Sequence, residues 1–259
     1  MLNVVNRKWL SLVCGAALVG AAAGPAWAQA PAAADPKAPN TGTTSSMSIA
    51  VQAASFAVEG VKRHSPMMLL AAAELAGELK KGAHGPDAVK VEVSGKAHEG
   101  GESLPSLEPK ALMARALEYC GDNAELKAAV ETMIKKIDSG ERGIVYSQGK
   151  DLPKYDIGGT TFAIINTSAS NQQLDPGSTY TATNVIFEAA RPAHVVVVGD
   201  GDGDLDLYVY DGNDNFIGKD TDYSSVCEVS WVPRYEGPFK IVVHNSGRVW
   251  EQFYVLCNW

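Results

Sequence analysis

The sequence predicts an α+β protein, a small all-α N-terminal region of about four helices followed by an all-β sandwich. Three observations carry this. Apolar residues from Met47 to Ile137 recur at helical spacing between capping signals. From Thr161 onward, β-branched and aromatic runs return every ~8–12 residues between Gly, Pro and Asp turns, as sandwiches require. Within that half, Val195 to Asp211 reads VVVVGDGDGDLDLYVYD, a strand, an acidic turn and a strand.

The chain opens with an export pattern over residues 1–28. Arg7 and Lys8 precede an apolar run from Trp9 to Ala23, and Ala26-Trp27-Ala28 supplies small residues for cleavage. The run is short and rich in Gly and Ala against the ~20 apolar residues of a membrane span, so no anchor is expected after its removal. Cys14 lies inside the run with Val13 before it, which does not fit lipidation. The expected location is periplasmic or secreted. Net charge is -8, near -10 once Arg7 and Lys8 are removed, which argues against nucleic acid and anionic membrane as partners. Residues 29–46 are rich in Ala, Pro, Ser and Thr and read as a flexible leader.

A helical domain is expected over residues 47–138. Ile49, Ala53, Phe56, Ala57 and Val61 share one helix face. Ser65 caps a second helix, with Pro66 at its first position and Gly82 placed to end it. Residues 83–106 form a long loop with one short alternating strand at Val89–Val93 and solvent-exposed histidines, His84 and His98. His98-Glu99 does not open an HExxH zinc helix, because Gly100 and Gly101 follow. Pro109 starts a third helix that Gly121 stops, and Asp122 with Glu125 makes a capping-box-like start for a fourth through Ile137. Two αα-hairpins follow from this arrangement; the echo between Ser65–Ala73 and Glu108–Ala116 is either a repeat or a chance likeness of two Ala-rich helices.

Residues 139–157 read as a linker, with a first strand at Ile144–Tyr146, and residues 158–259 as the sandwich. Strands are expected near 161–166, 180–188, 194–198, 205–210, 215–218, 226–232, 239–244 and 249–256, with a hairpin turn at Asp211-Gly212-Asn213. Cys227 and Cys257 fall in strands whose neighbours Val229, Trp231, Phe253 and Val255 point inward, so a disulfide is expected between them. Closing a loop of ~30 residues would stabilise by roughly 3 kcal/mol. Cys120 is left over, as a packed small residue or a reactive thiol.

The run GDGDGDLDLYVYDGNDN, then KDTDYSSVCEVSWVP, then GPFKIVVHNSG and a final aromatic strand resembles the bacterial pre-peptidase C-terminal domain. The resemblance covers roughly residues 158–259 and rests on Asp206-Leu207-Tyr208-Val209 and on Trp231 with Pro233. It implies a jelly-roll-like sandwich of the kind appended to exported peptidases and other exported proteins. No peptidase domain precedes it here.

Asp200, Asp202, Asp204 and Asp206 alternate along the chain, which places carboxylates on one side of extended backbone, with Asp220 and Asp222 on a neighbouring turn. These six oxygen-bearing residues are the candidate metal ligands, and calcium is the ion their chemistry suits. Leu205 stands where an EF-hand needs glycine, which excludes that motif. Related collagen-binding domains use calcium in this way, as the resemblance implies; a solvated acidic turn is the alternative. With Leu205, Leu207 and Val209 inward, Tyr208 and Tyr210 point outward as candidate ligand contacts. No catalytic residues are assigned: no G-x-S-x-G elbow, P-loop, dinucleotide fingerprint or CxxC pair occurs, and His194 and His244 fall inside strands. The expectation is an exported, non-catalytic protein whose sandwich binds extracytoplasmic protein or polysaccharide. An accessory role that stabilises an exported partner and an unrecognised hydrolase in the helical half remain as alternatives.

Overall fold

A computed structural model describes residues 45–79, 89–95, 98, 100–139, 162–165 and 172–258. The signal segment, most of the leader, His84, the strand expected at Ile144–Tyr146 and the linker beyond Ser139 lie outside the described residues.

Among the described residues four helices come first, α1 (Ser45–Lys62), α2 (Pro66–Gly77), α3 (Pro109–Glu118) and α4 (Ala124–Asp138). Ser65 caps α2 as its sequence position suggests, accepting from Met68 N at 3.4 Å. The cap of α4 is Asn123, one residue after the expected Asp122; its Oδ1 accepts from Leu126 N at 3.0 Å. Gly60 lets α1 and α2 approach closely, because a Cβ there would stand 2.9 Å from Leu69 Cγ.

Nine strands, β2 (Phe162–Ile164), β3 (Gln173–Leu174), β4 (Thr179–Phe187), β5 (Ala193–Gly199), β6 (Leu205–Asp211), β7 (Phe216–Asp220), β8 (Val226–Trp231), β9 (Gly237–Asn245) and β10 (Glu251–Asn258), follow the helices. A further strand, β1 (Lys90–Ser94), lies between α2 and α3 and pairs with β4. The short alternating piece in the loop is therefore an edge strand of the sandwich. The sheets run β1-β4-β9-β6-β7 and β2-β10-β5-β8, with β3 also on β10, and all pairings are antiparallel. The chain is thus α+β with a C-terminal β-sandwich.

The two sheets enclose one core containing Leu205, Leu207, Val209, Val195, Val197, Phe253, Val255, Phe239 and Trp231. A second core lies on the opposite face of β5 and β10. There Val196, Val198, Tyr254 and Leu256 pack with Leu69, Leu70, Leu75 and Leu112 of the helices. Tyr254 Oη also donates to the carbonyl of Pro105 at 2.5 Å. This explains the unbroken valine run. A strand covered on both faces needs apolar residues at every position, whereas β6, solvated on one face, alternates strictly. The described residues stack in three layers: helices, the β5/β10 sheet and the β6/β9 sheet.

The expected disulfide is not formed, and Cys120, Cys227 and Cys257 are buried free thiols. The reason is topological. Cys227 pairs across from Val197 and Cys257 from Val195, so β5 lies between them. Two strand spacings come to roughly 9–10 Å, beyond the ~7 Å Cα separation that a bridge tolerates.

Candidate functional site

The acidic turn joins β5 to β6 at the rim of the sandwich, beside the end of α1. Of its first two aspartates, Asp202 meets the helical layer through its carboxylate and Asp200 through its backbone carbonyl. Lys62 Nζ donates to Asp202 Oδ1 at 2.5 Å and to the carbonyl of Asp200 at 3.0 Å. That hydrogen bond to Asp202 is the main reason the Lys62 pKa rises. An ammonium group therefore sits against the Asp202 carboxylate and the Asp200 backbone carbonyl.

The other four face elsewhere. Asp206 Oδ2 accepts from Ser246 Oγ at 2.5 Å on the open face of β6. Asp220 Oδ2 accepts from Glu228 N at 2.9 Å and Asp222 Oδ1 from Ser224 Oγ at 2.7 Å. Asp204 is the strained member. Burial, then the charges of Asp206 and Asp222, raise its pKa, and its Oδ1 is buried without a hydrogen-bond partner. Asp204, Asp206, Asp220 and Asp222 all act on the Cys227 thiol, whose pKa burial has already raised. Among the described residues, no three His, Cys, Asp or Glu side chains are grouped as a metal requires.

Two clefts open at this rim. One, of about 210 Å³, lies between α1 and the turn and is lined by Lys62, His64, Glu102, Asp200, Asp202 and Trp250. The other, of about 610 Å³, is lined by Asp175, Pro176, Asp200, Asp202, Arg248 and Trp250. Asp200, Asp202 and Trp250 belong to both, so the clefts adjoin. Trp250 stacks on His98 with ring centroids 4.2 Å apart, and His98 Nδ1 lies 2.9 Å from Asp175 Oδ1. The exposed His98 expected from the sequence is instead packed, because its ring face and Nδ1 both have partners.

Tyr208 and Tyr210 do point outward, within β6 past the turn, on the face of the strand opposite the core. Lys240 Nζ sits 4.7 Å from the Tyr210 ring centroid, and the ring meets Phe216 edge-on at 5.9 Å. Tyr208 Oη lies 3.4 Å from Asp206 Oδ2. The tyrosines thus form a second polar-aromatic surface apart from the clefts. His194 is buried with Nδ1 3.4 Å from Glu228 Oε1, and His244 Nδ1 lies 2.9 Å from Thr179 Oγ1.

Comparison with known proteins gives distant likenesses only. No family model matches the chain, and no curated protein matches it. Solved structures do. The C-terminal CBM6 of LamC, a marine laminarinase from Zobellia galactanivorans, matches with 10% identity and a TM-score of 0.25, covering 38% of this chain and 88% of that one. The carbohydrate binding module CBM6cm-2 from Cellvibrio mixtus lichenase 5A, in complex with cellotriose, matches with 12% identity and a TM-score of 0.24, covering 39% and 88%. Similarity this low carries no argument about fold or ligand.

The sequence reading missed Lys62, His98, Asp175, Arg248, Trp250 and Glu251. One of these left a signal. Phe253, Val255 and Cys257 alternate toward the core, and Glu251 sits on the same parity. A carboxylate on a core-facing parity marks a position under constraint. The others come from four separate segments, and only the fold brings them together.

Proposed function

We propose that the chain is an exported, non-catalytic binding protein and that the paired clefts at the acidic rim hold a neutral polysaccharide outside the cytoplasm. The observation that carries this reading is the shared lining of the clefts: one indole, Trp250, with Asp200 and Asp202 in both, and Asp175 and Arg248 in the larger. Sugars present apolar C–H faces and many hydroxyls, and an aromatic ring flanked by fixed acceptors and donors suits both. The net charge of -8 and three cleft carboxylates disfavour an anionic polymer. Export is supported by the pattern over residues 1–28, and the resemblance of residues 158–259 to pre-peptidase C-terminal domains agrees with it.

Affinity electrophoresis of the full chain through gels containing neutral or acidic polysaccharides tests the proposal. Retardation by a neutral polymer, lost in Trp250→Ala, is expected. Loss only in the double variant Tyr208→Ala with Tyr210→Ala moves the site to the open sheet face, and no retardation in any gel refutes the reading. Should a pulled-down protein be held by the helical layer instead, the accessory role replaces it. Calcium dependence enters the proposal only through Asp204, Asp206, Asp220 and Asp222, where a cation would relieve the repulsion on Asp204. A melting temperature equal in millimolar calcium and in chelator removes it.

A further inference from the structure

Helix α1 ends in a turn that glycine normally makes. Ser65 N donates to the Gly60 carbonyl at 2.8 Å and His64 N to the Val61 carbonyl at 3.1 Å, the paired bonds of a Schellman end. The residue that turns the chain in such an end adopts positive φ, and here it is His64, at φ +49. A Cβ in that conformation crowds the backbone, so histidine is held where glycine would be easier. The position puts an imidazole at the smaller cleft. The ring lines it, with Nε2 3.3 Å from Glu102 Oε2 and its centroid 4.9 Å from that of Tyr119. A carboxylate only accepts, so Nε2 carries the proton of the neutral ring and Nδ1 is left as an acceptor.

A second acceptor comes from β10. Phe253 and Val255 face the sandwich core, whereas Tyr254 and Leu256 pack with the helices, and Gln252 shares the parity of the second pair. Its side chain therefore leaves the strand toward the helical layer, and Gln252 also lines the smaller cleft. It is 7% exposed, and its Oε1 is buried without a hydrogen-bond partner. An amide oxygen taken out of water and left unpaired destabilises the free protein by its desolvation penalty, and an incoming donor removes that penalty. The rest of the lining is apolar at Val58, Val61 and Leu104 and aromatic at Trp250. At about 210 Å³ the cleft is smaller than the roughly 300–1,000 Å³ of pockets that enclose drug-sized ligands, so it has room for one small unit.

We propose that the smaller cleft is a subsite for a single sugar unit, and that His64 Nδ1 and Gln252 Oε1 select it by accepting hydrogen bonds from its hydroxyls. Hydroxyls supply the donors that both atoms lack, and the C–H face of the ring suits Trp250 and the apolar lining. Lys62, the ammonium of this lining, is taken up by the Asp202 carboxylate and the Asp200 carbonyl, so acceptors remain in excess. The assignment rests on a neutral polysaccharide as ligand. The larger cleft, which shares Trp250, takes the units that follow.

Affinity electrophoresis of the full chain in gels of dextran, a β-glucan or a galactomannan, all neutral, tests it beside thermal melts. His64→Gly should raise Tm by about 2–4 °C, because glycine suits the turn, and should weaken binding about tenfold. Gln252→Leu, which keeps the bulk and removes the unpaired oxygen, should leave Tm unchanged or higher and weaken binding by a similar factor. The O-methylated form of the retarding polymer has no hydroxyl donors and should not retard the unmodified protein. Retardation that is lost in Trp250→Ala but unchanged in His64→Gly or Gln252→Leu overturns the subsite and leaves the larger cleft as the site. A lower Tm in either variant, or retardation by the methylated polymer, also overturns it, since the residues then serve the fold or the donors are not read. No retardation of the unmodified protein in any gel overturns the subsite together with the polysaccharide reading.

Discussion

Leu256→Ala probes the claim that the helices and the sandwich share one core. Leu256 has no exposed surface and lies on the face of β10 turned toward the helices, with Val196, Val198 and Tyr254. Truncating a fully buried leucine costs about 2–5 kcal/mol, depending on how far the cavity collapses. Sheet on one side and helix on the other leave little freedom to collapse, so the upper half of that range is expected. For a folded unit of this size, each kcal/mol lowers Tm by roughly 2–4 °C, giving a fall of about 8–15 °C. Thermal melts followed by far-ultraviolet circular dichroism and by tryptophan fluorescence provide the measurement. Both probes should move by the same amount, because the residue belongs to helix packing and to a central strand at once. Thr181→Ala, on the open face of β4, is the control and should change stability by less than about 0.5 kcal/mol. A loss under about 1 kcal/mol, or a shift in the helical signal with the fluorescence transition unmoved, refutes a shared core.

Asp211 accepts from Asn213 N at 2.8 Å, Asn215 N at 2.9 Å, Asn215 Nδ2 at 2.9 Å and Tyr235 Oη at 3.2 Å. Burial opposes ionisation, but these bonds together hold its pKa below 3.8. Its contribution is therefore complete above pH 3.8 and lost as pH falls through the lower folded value; Asp211→Ala should cost about 2–3 kcal/mol at pH 7 in a urea titration. Reducing agent should leave Tm unchanged, and thiol-specific reagent should find Cys227 and Cys257 reactive only after denaturation; protection from that reagent in the denatured, unreduced protein would restore the disulfide. Gly60→Leu should destabilise by more than 2 kcal/mol, since the α1–α2 approach leaves no room beyond a hydrogen; stability unchanged in urea would contradict the packing of these helices.

The sandwich was legible because its signals are local. Leu205, Leu207 and Val209 alternate with Asp206, Tyr208 and Tyr210, and one solvated sheet face follows directly. Asp211-Gly212-Asn213 marks the β6–β7 turn through its own side-chain bonds. Sheet order is not local. Cys227 and Cys257 both point inward, as their neighbours suggest, yet nothing in either segment states that β5 runs between them. The clefts fail for the same reason. Trp250 closes a loop, Lys62 ends a helix and Asp175 follows a two-residue strand, so no spacing along the chain connects them.

The acidic run shows why regular spacing does not ensure a converging ligand set. Alternation puts side chains on one side only while the backbone stays extended. Here Gly201 adopts φ +82 between Asp200 and Asp202, and the chain turns. The Asp202 carboxylate then meets Lys62, the Asp200 carboxylate accepts from Gln252 N at 3.1 Å, and Asp204 uses its carbonyl to accept from Ser246 N at 2.9 Å and Gly247 N at 3.2 Å. Asp206 has entered β6 and points to the open face. Two other glycines of the run create the space that Glu251 fills, since Gly199 and Gly203 stand against its two oxygens. One glycine therefore scatters the exposed carboxylates and two admit a buried one, and the chemistry of the rim depends on the glycines of the run as much as on its aspartates.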